Sequence, residues 1–112
     1  MAGKRASLDS LRQELRRGSL VLAVLAATGE EAYGAVLRER LAAHRVLIEE
    51  GALYPMLRRL EEQGLLASEW RHEGSRTKRF YRRSPFGGEV LQALSEEWKA
   101  FSESLEHLLG NQ

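Results

Sequence analysis

The chain of 112 residues has the length of one domain and is too short for a core plus a separate large ligand domain. Apolar residues at 43% and charged residues at 29% exclude a disordered polyelectrolyte, and a cysteine count of 0 excludes disulfides and thiolate metal sites. A net charge of +1 excludes a histone-like polycation.

The longest apolar run, Leu20 to Ala27, falls well short of the roughly 20 residues a membrane span needs. Met1-Ala-Gly-Lys-Arg leads into polar sequence rather than an apolar signal core, so the expected location is the cytoplasm, with no membrane partner. The near-zero average charge hides segregation. Residues 1–17 carry +3, residues 71–83 carry +5, and residues 84–112 carry −4. Such a pattern fits one face for a polyanion and another for a different task; ordinary solvated helices and loops account for it equally well.

In chain order, a first helix is predicted from near Ser10, where Ser10 and Gln13 have capping-box spacing, to just before Thr28-Gly29. Gly29 is suited to a left-handed cap. Leu8, Leu11, Leu15, Leu22 and Leu25 form an apolar stripe that Leu20, Val21 and Val24 widen. Gly18 inside the helix suggests the close approach of another helix. A second helix spans about Ala32 to Ala43, with Val36, Leu37 and Leu41 inward. A third runs from about Glu49 to Gln63, with Leu53, Leu57 and Leu60 inward and Gly64 as its C′ residue. Pro55 predicts a distortion in its second turn, or a later start.

The apolar period then changes from 3.6 to 2. Leu66–His72 and Lys78–Arg83 read as two strands around Glu73-Gly-Ser-Arg-Thr77, a hairpin with a basic tip. Trp70 on the first strand reads as a core residue. Ser84-Pro85 has the N-cap and N1 signature of a last helix. In that helix Leu91, Leu94, Trp98, Phe101, Leu105 and Leu108 are spaced 3, 4, 3, 4, 3, a heptad seam. A terminal helix on so small a chain has little core left to cover with it. Packing against a second copy resolves this; folding back on its own domain is the alternative.

The predicted fold class is mainly α with a small β hairpin: a winged helix-turn-helix plus a long C-terminal dimerisation helix. Residues 1–84 form the helical and winged part and residues 85–112 the dimerisation helix, in one unit. In this layout the third helix enters the major groove of double-stranded DNA. Glu50, Ala52, Tyr54, Arg58 and Arg59 are then the side chains available near base edges. Arg76, Lys78 and Arg79 of the hairpin would lie along the backbone or minor groove, adding salt-dependent affinity. Tyr33 is suited to a phosphate hydrogen bond or to packing. Winged helices also serve as protein-interaction modules, so element order alone leaves that reading open.

At these residues the chain resembles the PadR family of transcriptional regulators. Glu50-Gly-Ala-Leu-Tyr-Pro, followed by Arg59-Leu-Glu and Gly64-Leu-Leu, is similar to the family's signature around its recognition helix. Leu15-Arg-Arg-Gly-Ser-Leu20, Tyr33-Gly34, Glu69-Trp70, Lys78-Arg-Phe-Tyr-Arg82 and Ser84-Pro-Phe-Gly87 extend the likeness over about residues 15–109. Ala52 stands where the family usually has threonine, Ala35 where tyrosine is frequent, and Glu49 where a capping serine is common. The length is similar to the short subfamily with one C-terminal helix. The resemblance implies homodimeric repressors that bind palindromic promoter sites, with Tyr54 and its neighbours meeting DNA. It implies a dimer joined through the first and last helices, here Leu11, Leu15, Leu22 and the heptad seam. Some short members hold flat aromatic molecules between paired tryptophans, and Trp98 matches that position; a plain interface anchor is the other reading of Trp98.

His44, His72 and His107 are scattered, with no i, i+4 pair, so no metal site is predicted. Neither a nucleophile elbow nor a glycine-rich phosphate loop is present, so no catalytic residue and no cofactor are expected.

Overall fold

In the computed structural model, which describes residues 2–110, the first helix is long but buried only at one end. Met1 and the last two residues of the expected dimerisation segment lie outside the described residues. Helix α1 (Ala2–Ala27) begins well before Ser10, so Ser10 and Gln13 lie in its interior and form no capping box. Residues 2–9 include no proline to stop it. Val24, Leu25 and Thr28 are buried, whereas Leu8, Leu11 and Leu15 are exposed. Among the described residues nothing lies within 4 Å of where a Cβ at Gly18 would stand, so the expected close helix contact is not made there.

The carboxyl end of α1 is closed by side chains. Thr28 Oγ1 donates to the carbonyls of Val24 (2.9 Å) and Leu25 (3.1 Å). Arg83 Nη1 donates to Leu25 O (2.7 Å) and Arg40 Nη1 to Ala27 O (2.6 Å). Gly29 does not take the expected left-handed conformation. The Arg83 guanidinium lies beside it, with Nη2 3.4 Å from where a Cβ would stand, an ordinary contact distance.

The segment expected to open the second helix is a short strand, β1 (Ala32–Tyr33), and α2 (Gly34–Ala42) follows it. Leu37 and Leu41 are buried and Val36 is half-buried. The helix ends with Val46 N donating to Leu41 O (2.9 Å) around Arg45, which has φ 64°. That bond pattern normally places glycine at the left-handed position. Helix α3 (Glu50–Glu62) buries Leu53, Met56, Leu57 and Leu60 and carries Pro55 without a break. It closes as expected at Gly64, with φ 79° and a Leu65 N to Leu60 O bond of 2.9 Å.

Strands β2 (Leu66–Glu73) and β3 (Arg76–Arg83) pair from Leu66↔Arg83 to Glu73↔Arg76. They are longer than expected, and the connection shrinks to Gly74-Ser75. Gly74 has φ 64° while Ser75 stays outside positive φ, the pattern of a type II′ turn. Ala32↔Tyr81 and Tyr33↔Phe80 add β1 to the other edge of β3, so the hairpin is part of a three-stranded antiparallel sheet in order β1-β3-β2. Pairing satisfies the backbone groups of a β3 edge that would otherwise be open.

Helix α4 (Pro85–Gly110) starts where Ser84-Pro85 indicated. Ser84 Oγ accepts from Gly87 N (2.9 Å) and donates to Gly64 O (2.6 Å). A Cβ at Gly87 would overlap the Leu65 carbonyl, so only glycine lets α4 leave the sheet this closely. The core joins Val24, Leu25, Leu37, Leu41, Leu53, Leu57, Leu60, Leu66 and Tyr81, with Leu91 of α4 packed against it. Beyond Leu91 α4 projects outward, as the first turns of α1 do. The radius of gyration, 16.6 Å, accordingly exceeds the roughly 13 Å of a compact chain near this length.

Two substitutions probe these joints. Arg45→Gly removes left-handed strain at an exposed position and should stabilise the chain by about 0.5–1 kcal/mol, read as a higher thermal midpoint. Gly87→Ala forces a methyl against backbone and should cost about 1–3 kcal/mol by denaturant titration; an unchanged midpoint would contradict the close approach.

Candidate nucleic-acid interface

With Leu53, Met56, Leu57 and Leu60 turned inward, the opposite face of α3 presents Glu50, Ala52, Tyr54, Arg58 and Arg59, all exposed. Tyr54 is held by its neighbour. A Cβ at Gly34 would overlap the Tyr54 ring, so the first turn of α2 and the second turn of α3 meet through glycine. Tyr33 caps α2 in backbone conformation but supplies no side-chain bond, leaving that helix end without a side-chain cap.

The sheet brings the wing alongside. On one side Lys78 Nζ sits 4.0 Å from the centre of the Tyr33 ring, which packs edge-on against Phe80 at 5.3 Å. Arg71 covers Phe80 at 4.9 Å and bridges Glu31 and Glu69. Its hydrogen bond holds the Glu31 carboxyl below its ordinary range, against the opposing effect of desolvation, and both carboxylates raise the Arg71 pKa. Since the folded pKa of Glu31 lies below the unfolded value, the pair contributes stability above the unfolded value. That contribution disappears as pH falls through the folded one. On the side facing α3, Arg79 donates through Nε to Ser68 Oγ (2.8 Å) and through Nη2 to Glu61 Oε1 (2.9 Å). Ser68 in turn donates to Glu61 Oε2 (2.6 Å). This cluster pins the wing to α3. Burial raises the Tyr81 hydroxyl pKa beneath it, with nearby Arg79 opposing.

The result is one concave surface of about 500 Å³ lined by Tyr33, Tyr54, Arg58, Trp70, Arg76, Lys78, Arg79 and Tyr81, with Ala35 and Thr77 completing it. Six residues singled out in the sequence therefore converge: Tyr33, Tyr54, Arg58, Arg76, Lys78 and Arg79. The other three do not line it. Glu50 pairs with Arg38 at 3.2 Å, Ala52 faces a separate hollow shared with Arg16 and Arg38, and Arg59 is exposed. Trp70, expected in the core, is 63% exposed. Period-2 alternation gave its face correctly, since Leu66, Ser68 and Trp70 share the side turned to α3.

The residues expected at a subunit interface lie elsewhere. Leu11, Leu15, Trp98, Phe101, Leu105 and Leu108 are exposed, and Leu22, Leu91 and Leu94 are half-buried. Leu15 and Leu22 of α1 face Leu94, Trp98, Phe101 and Leu105 of α4 across an open groove of about 1000 Å³.

Comparisons with known proteins agree with this geometry. Residues 21–101 match the model of the transcriptional regulator PadR-like family. The chain is 39% identical over 101 residues to the transcriptional regulator Rv3488 of Mycobacterium tuberculosis, spanning 89% of this chain and 92% of that one. A PadR family transcriptional regulator from Eggerthella lenta superposes with a TM-score of 0.88 at 40% identity over 100% of both chains. A PadR-like transcription factor from Bacteroides fragilis does so with a TM-score of 0.76 at 28% identity, covering 88% of this chain and 98% of that one. The chain thus belongs to the PadR-like family of transcriptional regulators, non-enzymatic proteins built on a winged helix-turn-helix with, here, a single long C-terminal helix.

Proposed function

We propose that the protein is a homodimeric repressor that binds a palindromic promoter site in the cytoplasm and is released by a small planar aromatic effector. The observation that carries this reading is the convergence of Tyr54 and Arg58 of α3 with Tyr33, Arg76 and Lys78 in one basic, aromatic-lined surface. Duplex DNA presents phosphates on either side of a groove wide enough for a helix, and this surface offers a helix flanked by cations. Arg58 is suited to guanine or phosphate, Tyr54 and Tyr33 to phosphate oxygens, and Arg76 and Lys78 to the flanking backbone. Arg59 lies at the outer edge of the contact. Arg79 has committed donors to Ser68 and Glu61, so its part is to hold the wing in register rather than to reach DNA.

The two projecting arms support a dimer. Trp98, Phe101 and Leu108 are each more than half exposed on a heptad seam, an apolar strip a second copy would cover. Pairing through α4 and the outer half of α1 would set two α3 helices on one face, roughly 34 Å apart, one turn of duplex. The groove beside Trp98, at about 1000 Å³, has the volume of a small-molecule site. An effector stacked there would favour one arm geometry, and a differential affinity of about 1–3 kcal/mol suffices to shift DNA binding.

Selection of genomic fragments with the purified protein should recover a palindrome near a promoter. Random fragments only would refute sequence-specific regulation. Replacing Arg76 and Lys78 together by alanine should weaken binding to every duplex and lower the salt slope by about 0.9 for each phosphate no longer neutralised. An unaltered slope would remove the wing from the DNA interface. Phe101→Glu lies on an exposed position of the isolated subunit, so the chain should stay folded but sediment as a monomer with much weaker DNA affinity. Wild-type protein sedimenting as a monomer at micromolar concentration would refute the dimer.

A further inference from the structure

One aromatic side chain on the concave surface has no part in the proposed function so far. Trp70 follows Leu66 and Ser68 on the face of β2 turned toward α3, but exposure rises along that face. Leu66 is buried, Ser68 is half-buried, and Trp70 is 63% exposed. Core packing therefore does not account for it, and an indole left this open on a wing of net positive charge requires another explanation.

The ring is nevertheless held in place. The Arg79 guanidinium carbon lies 5.4 Å from the indole centre, directly across the β2–β3 pair, where Trp70 and Arg79 are register partners. Arg79 is itself fixed by Ser68 and by Glu61 of α3. Trp70 thus stands at a set distance from the recognition helix, backed by a cation and open to the surface it shares with Tyr54, Arg58 and Arg76. A nucleic-acid strand passing over that surface offers two things an indole can use. Deoxyribose carbons between phosphates are apolar and match its flat face, and phosphate oxygens can accept from its Nε1–H.

We infer that Trp70 is a DNA-contacting residue whose indole packs on the deoxyribose–phosphate backbone beside the groove entered by α3. The inference rests on the DNA-binding function proposed for the same surface and adds an uncharged contact to it. An indole releases no counterion, so its contribution differs in kind from that of Arg76 or Lys78.

The test measures affinity for a fluorescein-labelled mixed-sequence duplex over a series of salt concentrations. Trp70→Ala should bind roughly tenfold more weakly at each salt, within the range known for aromatic contacts to nucleic acid, with the wild-type salt slope retained. Equal affinity would overturn the contact. A slope that falls together with affinity would also overturn it, because Trp70 would then only prop up the neighbouring cations. Independently of that variant's folding, the wild-type chain grown with 5-fluorotryptophan should give two fluorine resonances, one for each tryptophan. The resonance missing from Trp70→Phe should shift when the duplex saturates the protein, and a stationary signal would overturn the inference. A wild-type protein that binds no duplex even at low salt would refute the DNA-binding function itself. Binding by wild type and Trp70→Ala alike would refute the Trp70 contact alone.

Discussion

The last carbonyls of α1 lie among α2 and the end of β3, and a helix end buried there without partners would be costly. Two arginines prevent this. Arg40 comes from α2 and joins Ala27 O to Glu30 O, at 2.6 and 2.9 Å. Arg83 comes from the end of β3, donating its side chain to Leu25 O and its backbone amide to Thr28 O (2.7 Å). Cations at a helix carboxyl end are also favoured by the peptide dipoles. The end of α1 is thereby tied to α2 through Arg40 and to the wing through Arg83.

From that joint the reading surface is assembled by short-range packing. Gly34 lets Tyr54 lie against α2, and Glu61 ties α3 to the wing through Arg79 and Ser68. Seven of the arginines fall into two groups. Arg40, Arg71, Arg79 and Arg83 are engaged by carbonyls and carboxylates inside the subunit, whereas Arg58, Arg59 and Arg76 are exposed. A simple count of basic residues in the wing overstates what is free to meet DNA.

The opposite end of the molecule is built on a different principle. Here α1 and α4 leave the core with their apolar sides facing a groove that neither closes. Leu65 and Gly87 fix the angle at which α4 departs, because the backbone contact admits no side chain. Arg16, near the middle of α1, donates to Leu47 O (2.6 Å) just before α3. The same helix that lines the groove is therefore tied to the segment preceding α3.

By itself the sequence determined the kinds of element and most of their ends. Leu53, Leu57 and Leu60 marked the buried face of α3, Gly64 its stop, Ser84-Pro85 the start of α4, and Gly74-Ser75 the hairpin. These depend on interactions within a few residues: side-chain period, capping and turn conformation. The family signature around Tyr54 was legible for the same reason. Tertiary structure alone decided that Ala32-Tyr33 is a strand, since its partners Phe80 and Tyr81 lie far along the chain. It also decided that Arg83 caps a carbonyl 58 residues away and that Trp70 is exposed. Each of these outcomes depends on where a distant segment lies, and neither local period nor local charge encodes that position.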